Sequence, residues 1–162
     1  MYVINIKKCK RRRCVLEIRK LEINQIDEIK TLFKNVFMNE PWNDDWSNEE
    51  QLDEYMLDLS GNRNSLAIGL YDAEELVAVS LGSIMHWYTG TEYYIYEFFV
   101  TRERQGKGLG TEFIKDIIEY VKKLDVNHIF LQTERELPAY SFYQKVGFKE
   151  LEGHATLVKR FD

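Results

Sequence analysis

A glycine-rich segment in the second half of the chain has the residue types that bind phosphate groups. Residues 105–110 read Gln-Gly-Lys-Gly-Leu-Gly, and an apolar spacing typical of a helix begins at Leu109. The first N–H groups of a helix have no intrahelical acceptor and carry partial positive charge, so a pyrophosphate can accept their hydrogen bonds. Glycines let the backbone approach such a ligand because they have no Cβ atom. Arg104 and Lys107 would add positive charge.

The glycines alone are compatible with more than one kind of site. A loop that only turns tightly would also use them. A nucleoside-triphosphate P-loop ends in Gly-Lys-Ser/Thr, which is absent here. A dinucleotide-binding fold has Gly-x-Gly-x-x-Gly in a βαβ unit, and this chain does not begin with such a unit. The segment therefore predicts either a different kind of phosphate site or a plain turn.

The elements that must position this segment follow from the spacing of apolar residues. Alternation of apolar and polar residues predicts strands, and a period near 3.6 predicts helices. The resulting order is β, α, α, three strands of an antiparallel meander, α, β, α, and one or two closing strands. We expect an α/β (α+β) fold with a mixed, mostly antiparallel sheet of six to seven strands and about four helices on its two faces. The predicted strands cover residues 15–20, 66–70, 76–88, 92–100, 128–133 and part of 148–160, and the predicted helices begin at Asn24, at a Ser47-x-x-Glu50 capping box, at Leu109 and at Pro138.

Length and charge limit the possible classes of protein. A chain of 162 residues fits one domain, and 44 % hydrophobic residues exclude a disordered chain. Residues 1–14 hold six basic and no acidic residues, so the other 148 residues carry a net charge of −11. We interpret residues 1–14 as a basic N-terminal extension and residues 15–162 as the domain. The acidic body would favour a cationic substrate, or it is ordinary solubility charge, and it predicts no nucleic-acid partner.

The remaining composition predicts a cytoplasmic protein. No apolar run reaches the roughly 20 residues that cross a membrane, so we expect no membrane partner. Cys9 and Cys14 both lie in the basic extension, and nothing else is typical of a secreted protein. We expect them to be reduced thiols rather than a disulfide. Two cysteines are too few for a metal site, so we expect no metal.

Two motifs in the right order resemble the core of the GNAT acyltransferases. Residues 97–110 read Glu-Phe-Phe-Val-Thr-Arg-Glu-Arg-Gln-Gly-Lys-Gly-Leu-Gly, and they meet the family's Gln/Arg-x-x-Gly-x-Gly/Ala at Gln105, Gly108 and Gly110. Residues 142–148 read Phe-Tyr-Gln-Lys-Val-Gly-Phe and match its Phe-Tyr-x-Lys-x-Gly-Phe. The resemblance covers about residues 15–160. It implies a GNAT fold, with a twisted sheet splayed at its central strands after Val100, and it makes a homodimer possible.

The resemblance implies acetyl-CoA as the acyl donor. The backbone of residues 98–100 would pair with the pantetheine arm, and the amides of residues 105–111 would hold the pyrophosphate. Glu136 stands where the family often has an asparagine that contacts the cofactor, which puts that contact in doubt. The expected cofactor-binding residues are Phe98, Phe99, Val100, Gln105, Gly106, Lys107, Gly108, Leu109, Gly110, Thr111, Ala139, Phe142 and Lys145.

Transfer of an acetyl group to an amine needs a base, an oxyanion donor and an acid for the leaving thiolate. No Ser-His-Asp or Cys-His set is present, which favours direct attack by the amine. By resemblance, Tyr143 would be the acid and the backbone N–H of Val100 the oxyanion donor. The alternative for Tyr143 is an ordinary core tyrosine with an exposed polar end.

Glu97 is the best candidate for the base. Strand alternation places it on one face with Tyr93, Ile95 and Phe99, where desolvation would raise its pKa towards a useful value. An ion pair with a neighbouring Lys or Arg is the alternative. A water chain is another possible base, and a bulge in this strand would re-aim the side chain.

The acceptor side is predicted from aromatic and acidic residues between the first two helices and on the middle strands. Aromatic walls and carboxylates suit a small cationic amine that is aminoglycoside-like or polyamine-like. The two tryptophans could instead anchor their loop to the core. A protein or peptide acceptor and a non-catalytic acetyl-CoA sensor are the alternative functions. The expected substrate-binding residues are Trp42, Asp45, Trp46, His86 and Tyr96.

Overall fold

The computed structural model describes residues 4–5 and 16–161 of the chain. Cys9, Cys14 and the six basic residues of the predicted extension lie outside the described residues. The chain divides into two compact units, Met1–Gln132 and Thr133–Asp162. The helices are α1 (Ile26–Phe37), α2 (Glu49–Ser60), α3 (Leu109–Lys122) and α4 (Pro138–Lys145), and short 3-10 helices cover Ile23–Gln25 and Arg102–Arg104.

The first unit contains a mixed sheet whose strands neighbour one another in sequence order. All adjacent pairs are antiparallel except the last, which is parallel because α3 connects its two strands. The fold class and the four helices are therefore confirmed, whereas the strand count is slightly off: five of the predicted strands are present, and the sixth strand of the sheet, Ile4–Asn5, was not predicted. The strands are β1 (Ile4–Asn5), β2 (Leu16–Leu21), β3 (Ser65–Asp72), β4 (Glu75–Trp87), β5 (Gly90–Val100) and β6 (Val126–Leu131).

Helices α1 and α2 bury one apolar face each and are tied together by ion pairs. Lys30 bonds to Asp53, and Lys34 bonds to Glu49. The predicted capping box at Ser47 is wrong, since helix α2 is capped by Asn48, whose side chain accepts from Gln51 N at 3.2 Å. The physical reason is local: the backbone N–H of Ser47 already donates to Asp45 at 3.1 Å, which places Ser47 in a turn before the helix.

The two faces of the sheet carry different helices. Phe33 and Phe37 of α1 pack edge-on against Phe99 of β5, with ring centroids 5.6 and 5.5 Å apart. The neighbouring Phe98 stacks on Phe113 of α3 at 5.4 Å. Because successive side chains of a strand point to opposite faces, α1 covers one face and α3 the other. Strand β5 is therefore buried on both sides near its end.

A β-bulge in β5 changes which residues share a face. Leu81 of β4 pairs with Glu97, but its neighbour Gly82 pairs with Ile95, so Tyr96 is the extra residue. Tyr93 lies on the α3 face, where its hydroxyl is 2.9 Å from Ser80 Oγ. Glu97 and Phe99 lie on the α1 and α2 face. The prediction that Glu97 shares a face with Phe99 is confirmed, and its placement with Tyr93 and Ile95 is wrong because the bulge reverses the alternation.

Strands β5 and β6 separate part of the way along β5. Their parallel pairing runs from Thr91 and Val126 to Ile95 and Leu131, where it ends. Strand β5 continues to Val100 while still paired with β4 on its other side. The sheet is therefore open beside residues 96–100. The resemblance implied an opening after Val100, which is later in the strand.

The described tail after α4 contains no strand, so the prediction of one or two closing strands in residues 148–160 is wrong. Its apolar side chains are solvent-exposed, with Leu157 at 91 % and Phe161 at 86 % exposure. Strand pairing is specified when one face of the strand is buried, and these residues bury none.

Candidate functional site

The loop before α3 leaves open space above the helix N-terminus. Gly106 has φ of 70° and Gly108, the N-cap of α3, has φ of 83°, a left-handed conformation that glycine adopts without strain. A Cβ atom built on either glycine meets no atom within 4 Å. The N–H groups at the start of α3 carry partial positive charge beside this space. The local structure therefore fits an anionic ligand such as a pyrophosphate.

Side chains of the loop fasten it to the end of β5. Gln105 Nε2 donates to the carbonyl of Val100 at 2.9 Å, and Lys107 Nζ donates to the carbonyl of Glu103 at 2.7 Å. Arg104 pairs with Asp72 and, at 3.2 Å, with Glu75. The sequence predicted that Arg104 adds positive charge to the phosphate site, but its charge is balanced by these two carboxylates. The helix dipole and Lys107 thus supply most of the positive potential.

The backbone of β5 presents hydrogen-bonding groups at the open edge of the sheet. Thr101 N donates to Val77 O at 2.9 Å, so these two residues form a hydrogen-bonded antiparallel pair. In an antiparallel ladder such pairs alternate with pairs whose N–H and C=O groups point the other way. The groups of Phe98 and Val100 therefore point away from β4, towards the edge that β6 leaves beyond Ile95. An extended ligand could add to this edge as a strand does.

Glu97 is a half-buried carboxylate held by a tyrosine from α2. Tyr55 Oη donates to Glu97 Oε1 at 2.5 Å, although the two residues are 42 positions apart. Burial raises the pKa of Glu97 to about 7; the bond from Tyr55 acts in the opposite direction, and the negative charge of Asp44 acts in the same direction as burial. At neutral pH the carboxyl group is therefore divided between its two protonation states, as a general base requires.

Tyr55 is itself fixed by the loop between α1 and α2. Its ring stacks on Trp46 with centroids 5.0 Å apart and planes inclined by 21°. Trp46 also packs edge-on against Phe33 at 5.3 Å. The indole Nε1 of Trp46 is buried, and no residue in the described part of the chain accepts its hydrogen bond. Burial, followed by the charge of Glu97, raises the pKa of Tyr55 above its usual range, so its hydroxyl keeps its proton.

A pocket of about 200 Å³ lies beside this pair. Tyr94 and Tyr96 form one wall, with ring centroids 4.8 Å apart, and Tyr55 forms another. The hydroxyl of Tyr96 is 3.0 Å from Ser83 Oγ, which holds the ring in place. Aromatic faces and a nearby carboxylate attract cations. The lining residues are Tyr55, Leu59, Tyr94, Ile95, Tyr96 and Gln132.

The structure brings only some of the predicted acceptor residues to this pocket. Tyr96 lines it, and Trp46 supports Tyr55 from behind. Trp42 packs edge-on against Phe37 at 5.3 Å, which is the anchoring arrangement that the sequence left open. Asp45 accepts from the backbone of Ser47, while its neighbour Asp44 is the carboxylate that acts on Glu97.

His86 lies near the exposed tip of the β4–β5 hairpin. Its Nδ1 is 3.3 Å from Thr91 Oγ1. It follows Leu81, the partner of Glu97, by five residues along β4, or about 17 Å. The structure therefore does not bring His86 to the carboxylate.

The second unit carries the other predicted residues on α4. Tyr143 is buried, with 9 % exposure, and its ring contacts Phe142 at 5.2 Å and Phe148 at 5.5 Å. Phe148 N donates to Tyr143 O at 3.0 Å, which closes the turn after the helix. Ala139 and Phe142 are half-buried, and Glu136 and Lys145 are exposed.

Sequence reasoning did not find the partner of Glu97, although a signal was present. Tyr55 follows Leu52 by three residues and precedes Leu59 by four, which places it on the buried face of α2. A buried tyrosine hydroxyl usually has a hydrogen-bond partner. An inward tyrosine beside a strand with one carboxylate therefore indicates such a pair. For Gln132 and Leu59, no feature of the sequence indicated that they line a pocket.

The described residues lack two kinds of feature. No helix among them is long and apolar enough to span a membrane. In the same part of the chain, no group of three or more His, Cys, Asp or Glu side chains is arranged to hold a metal ion.

Known proteins share both the sequence pattern and the fold. The uncharacterized N-acetyltransferase YobR of Bacillus subtilis (strain 168) is 35 % identical over 92 residues, which are 56 % of this chain and 36 % of that protein. The chain thus matches only about a third of the length of this relative.

Two solved structures show the fold alone, since both are less than 25 % identical. Aminoglycoside N-acetyltransferase AAC(6')-Iy in complex with CoA has a TM-score of 0.70 and 15 % identity, over 94 % of this chain and 100 % of that one. Ribosomal-protein-alanine N-acetyltransferase from Brucella melitensis biovar Abortus 2308 has a TM-score of 0.69 and 16 % identity, over 90 % and 99 %.

A family match covers most of the sequence. The acetyltransferase (GNAT) family matches residues 26–148, which is more than half of the chain. This match confirms the resemblance drawn from residues 97–110 and 142–148, and it confirms the expected class, an acyltransferase, at the level of the family. The chain belongs to the acetyltransferase (GNAT) family.

Proposed function

We propose that the protein is an acetyl-CoA-dependent N-acetyltransferase that acts on a primary amine by direct attack. One observation carries the proposal: Glu97 has its pKa raised to about 7, and it precedes residues 98–100 of the open edge of β5, which lead into the glycine loop. A base and a donor site are then adjacent on one strand. An amine bound beside Glu97 would be next to an acyl group held along residues 98–100.

The donor site is supported by features of this chain. The open space at Gly106 and Gly108 fits a pyrophosphate, and the outward groups of Phe98 and Val100 fit the amides of an extended arm. Gln105 ties the two parts together through the carbonyl of Val100. When bound, acetyl-CoA would supply the acetyl group as a thioester. The fold shared with an aminoglycoside acetyltransferase in complex with CoA also supports this donor.

The chain's own groups have separate roles in the transfer. Glu97, once deprotonated, would take a proton from the attacking amine. The outward N–H of Val100 would donate to the carbonyl oxygen as it becomes negative. Tyr143, which matches the family's tyrosine, would donate its proton to the departing thiolate.

For the acceptor we propose a small cationic amine that is aminoglycoside-like or polyamine-like. The pocket has three tyrosine walls, and one of these tyrosines, Tyr55, donates to the carboxylate of Glu97 beside it. A volume of about 200 Å³ holds one amine-bearing arm rather than a whole drug-sized molecule. One solved structure of the same fold is named as an aminoglycoside acetyltransferase. Another is named for a ribosomal protein, so a peptide acceptor is the alternative to test.

The test measures release of CoA thiol from acetyl-CoA with a panel of acceptors. The panel contains aminoglycosides, polyamines and peptides with free N-termini or lysines. We expect turnover with small cationic amines, and saturation with peptides instead would favour the alternative. Binding of acetyl-CoA in calorimetry without thiol release for any amine would indicate a non-catalytic sensor. Absence of acetyl-CoA binding would refute the proposal.

The role of Tyr143 is tested in the same assay. With a confirmed acceptor, Tyr143→Phe is expected to lower kcat about a hundredfold, since general acids usually contribute at least that much. Turnover within about twofold of the wild type would show that Tyr143 is not the acid.

A further inference from the structure

We propose that Tyr55 is the positioning residue of Glu97, and that the loop of residues 38–48 acts on the base through it. This inference rests on the proposed function, because it assigns a role in preparing the same carboxylate. Tyr55 belongs to α2, and Glu97 belongs to β5. The proposal therefore makes an element outside the glycine loop and its strand a part of the reaction machinery.

The hydrogen bond between Tyr55 and Glu97 has the geometry of a bond to a charged acceptor. A separation of 2.5 Å between Tyr55 Oη and Glu97 Oε1 is at the short end for O–H donors and is typical of a bond to an ionised acceptor. Tyr55 can only be the donor when the carboxylate is charged, because a carboxylate only accepts. The bond occupies Oε1 and leaves Oε2 to receive a proton from an amine. It thereby fixes which oxygen is the base.

The ring of Tyr55 is held from several sides. Trp46 stacks on it at 5.0 Å, and Phe33 lies 6.0 Å away in a tilted arrangement. The ion pairs of Lys30 with Asp53 and of Lys34 with Glu49 keep α2 against α1. A side chain locked in this way holds its partner in one orientation, which catalytic groups require.

Two residues from outside β5 act on the pKa of Glu97 in opposite directions. Tyr55, from α2, stabilises the charged carboxylate through its hydrogen bond, and Asp44, from the loop, destabilises it through its negative charge. The other elements packed here contribute apolar groups, which are Leu81 of β4 opposite Glu97 and Phe33 of α1 against Tyr55. Burial has the largest effect on the pKa of Glu97, and Tyr55 and Asp44 then adjust that pKa in opposite directions.

Tyr55 also connects this pair to the acceptor. Tyr55 lines the pocket together with Tyr94 and Tyr96. The side chain of Tyr55 therefore lines the proposed acceptor pocket, and its hydroxyl donates to Glu97. An amine that fits the pocket would meet the Glu97 carboxylate in the orientation set by Tyr55. An acceptor that displaces Tyr55 would meet a Glu97 carboxylate without that hydrogen bond.

Tyr55→Phe tests the role, because it keeps the ring and removes only the hydroxyl. Loss of one hydrogen bond to a charged group is expected to raise the pKa of Glu97 by roughly one unit. The midpoint of the acidic limb in the pH profile of kcat should move to higher pH by the same amount. At pH 7 the deprotonated fraction of Glu97 falls from about one half to about one eleventh, so we expect kcat to fall about fivefold, with KM within about twofold of the wild type.

Tyr71→Phe is the matched control. The hydroxyl of Tyr71 donates to Glu28 at 2.9 Å, so this variant also removes a tyrosine–carboxylate bond from the core. Tyr71 has no contact with Glu97, and its variant should leave the pH midpoint unchanged. An equal shift in both variants, or no shift in Tyr55→Phe, would overturn the proposal.

A direct titration separates this inference from the proposed function. The carboxyl ¹³C signal of Glu97 is followed against pH in both variants without substrate. A higher pKa in Tyr55→Phe supports the positioning role even if no acceptor is turned over, in which case the proposed function fails alone. If Tyr55→Phe does not fold, Trp46→Phe replaces the ring on which Tyr55 rests by a smaller aromatic ring that keeps the surroundings apolar. It should raise the same pKa by less, and an unchanged pKa there would count against the proposal.

Discussion

The proposed donor side and the proposed acceptor side of the site are constructed in opposite ways. The donor side is one continuous segment, residues 98–111, and it presents backbone groups at a strand edge, in a glycine loop and at a helix start. The acceptor side combines side chains from distant segments. Tyr55 and Glu97 are 42 residues apart and meet only because α2 packs on the sheet.

This difference has a physical consequence for what each side tolerates. A backbone site depends on φ angles and on missing Cβ atoms, so most side chains around it can change without loss. A side-chain site depends on the packing of every helix or strand that contributes a residue to the site. A change in that packing therefore changes the site. We therefore expect the acceptor side to be the easier one to alter by mutation. Three predictions test this comparison.

The largest expected effect is on the acceptor side, at the base itself. Glu97→Gln keeps the shape and the acceptor oxygen for Tyr55 but cannot take a proton at neutral pH. We expect kcat to fall about a hundredfold or more. Acetyl-CoA affinity, measured by calorimetry, should stay within about twofold, because the donor side uses the backbone. A parallel loss of affinity would show that the two sides are not separable.

The next effect is on the donor side, at Gly108. Gly108→Ala places a Cβ in the open space at a φ of 83°, so it obstructs a ligand and adds backbone strain of about 1 kcal/mol. We expect acetyl-CoA to bind about tenfold more weakly. Gly147→Ala, at a φ of 101° with equally open surroundings, gives the cost of strain alone in the free energy of unfolding. Unchanged affinity in Gly108→Ala would mean that no ligand uses this space.

The smallest effect is electrostatic and concerns Asp44. The charged form of Glu97 is the active base, so activity rises with pH through its pKa of about 7. Asp44→Asn removes a negative charge that raises this pKa, and the midpoint of the kcat profile should therefore move to lower pH. The shift should be smaller than the opposite one in Tyr55→Phe, and it should shrink in 1 M salt because Asp44 is exposed. An upward shift would contradict the assigned sign.

The sequence predicted those parts of the molecule that depend on local pattern. The apolar spacing of α1 and α3 and the glycine loop are local, and the structure agrees with each. The sequence did not predict the pairing of Tyr55 with Glu97, because helical spacing indicates that Tyr55 points inward but does not indicate which distant segment its hydroxyl contacts. It also failed at Ser47, where two adjacent residues could each cap a helix and the preceding Asp45 decided between them.

The closing strands illustrate the other limit. Residues 148–160 contain β-branched and aromatic residues, which are typical of strands. Propensity alone does not form a strand, since a strand needs a buried face and a partner edge. The described tail has neither, so its composition misled the prediction.

The bulge at Tyr96 has a consequence for how the strand could evolve. Side-chain direction along a strand has only two values, so a single inserted residue inverts the parity of all positions on one side of it. Deleting Tyr96 would restore uniform alternation and leave Glu97 on the α1 and α2 face, because Ile95 and Glu97 would then be consecutive residues on opposite faces. The deletion would instead remove the arrangement in which two consecutive side chains, Tyr96 and Glu97, both project towards Tyr55. A pocket wall and a base at adjacent positions therefore require an inserted residue, a discrete change in chain length that no gradual change in side-chain chemistry can replace.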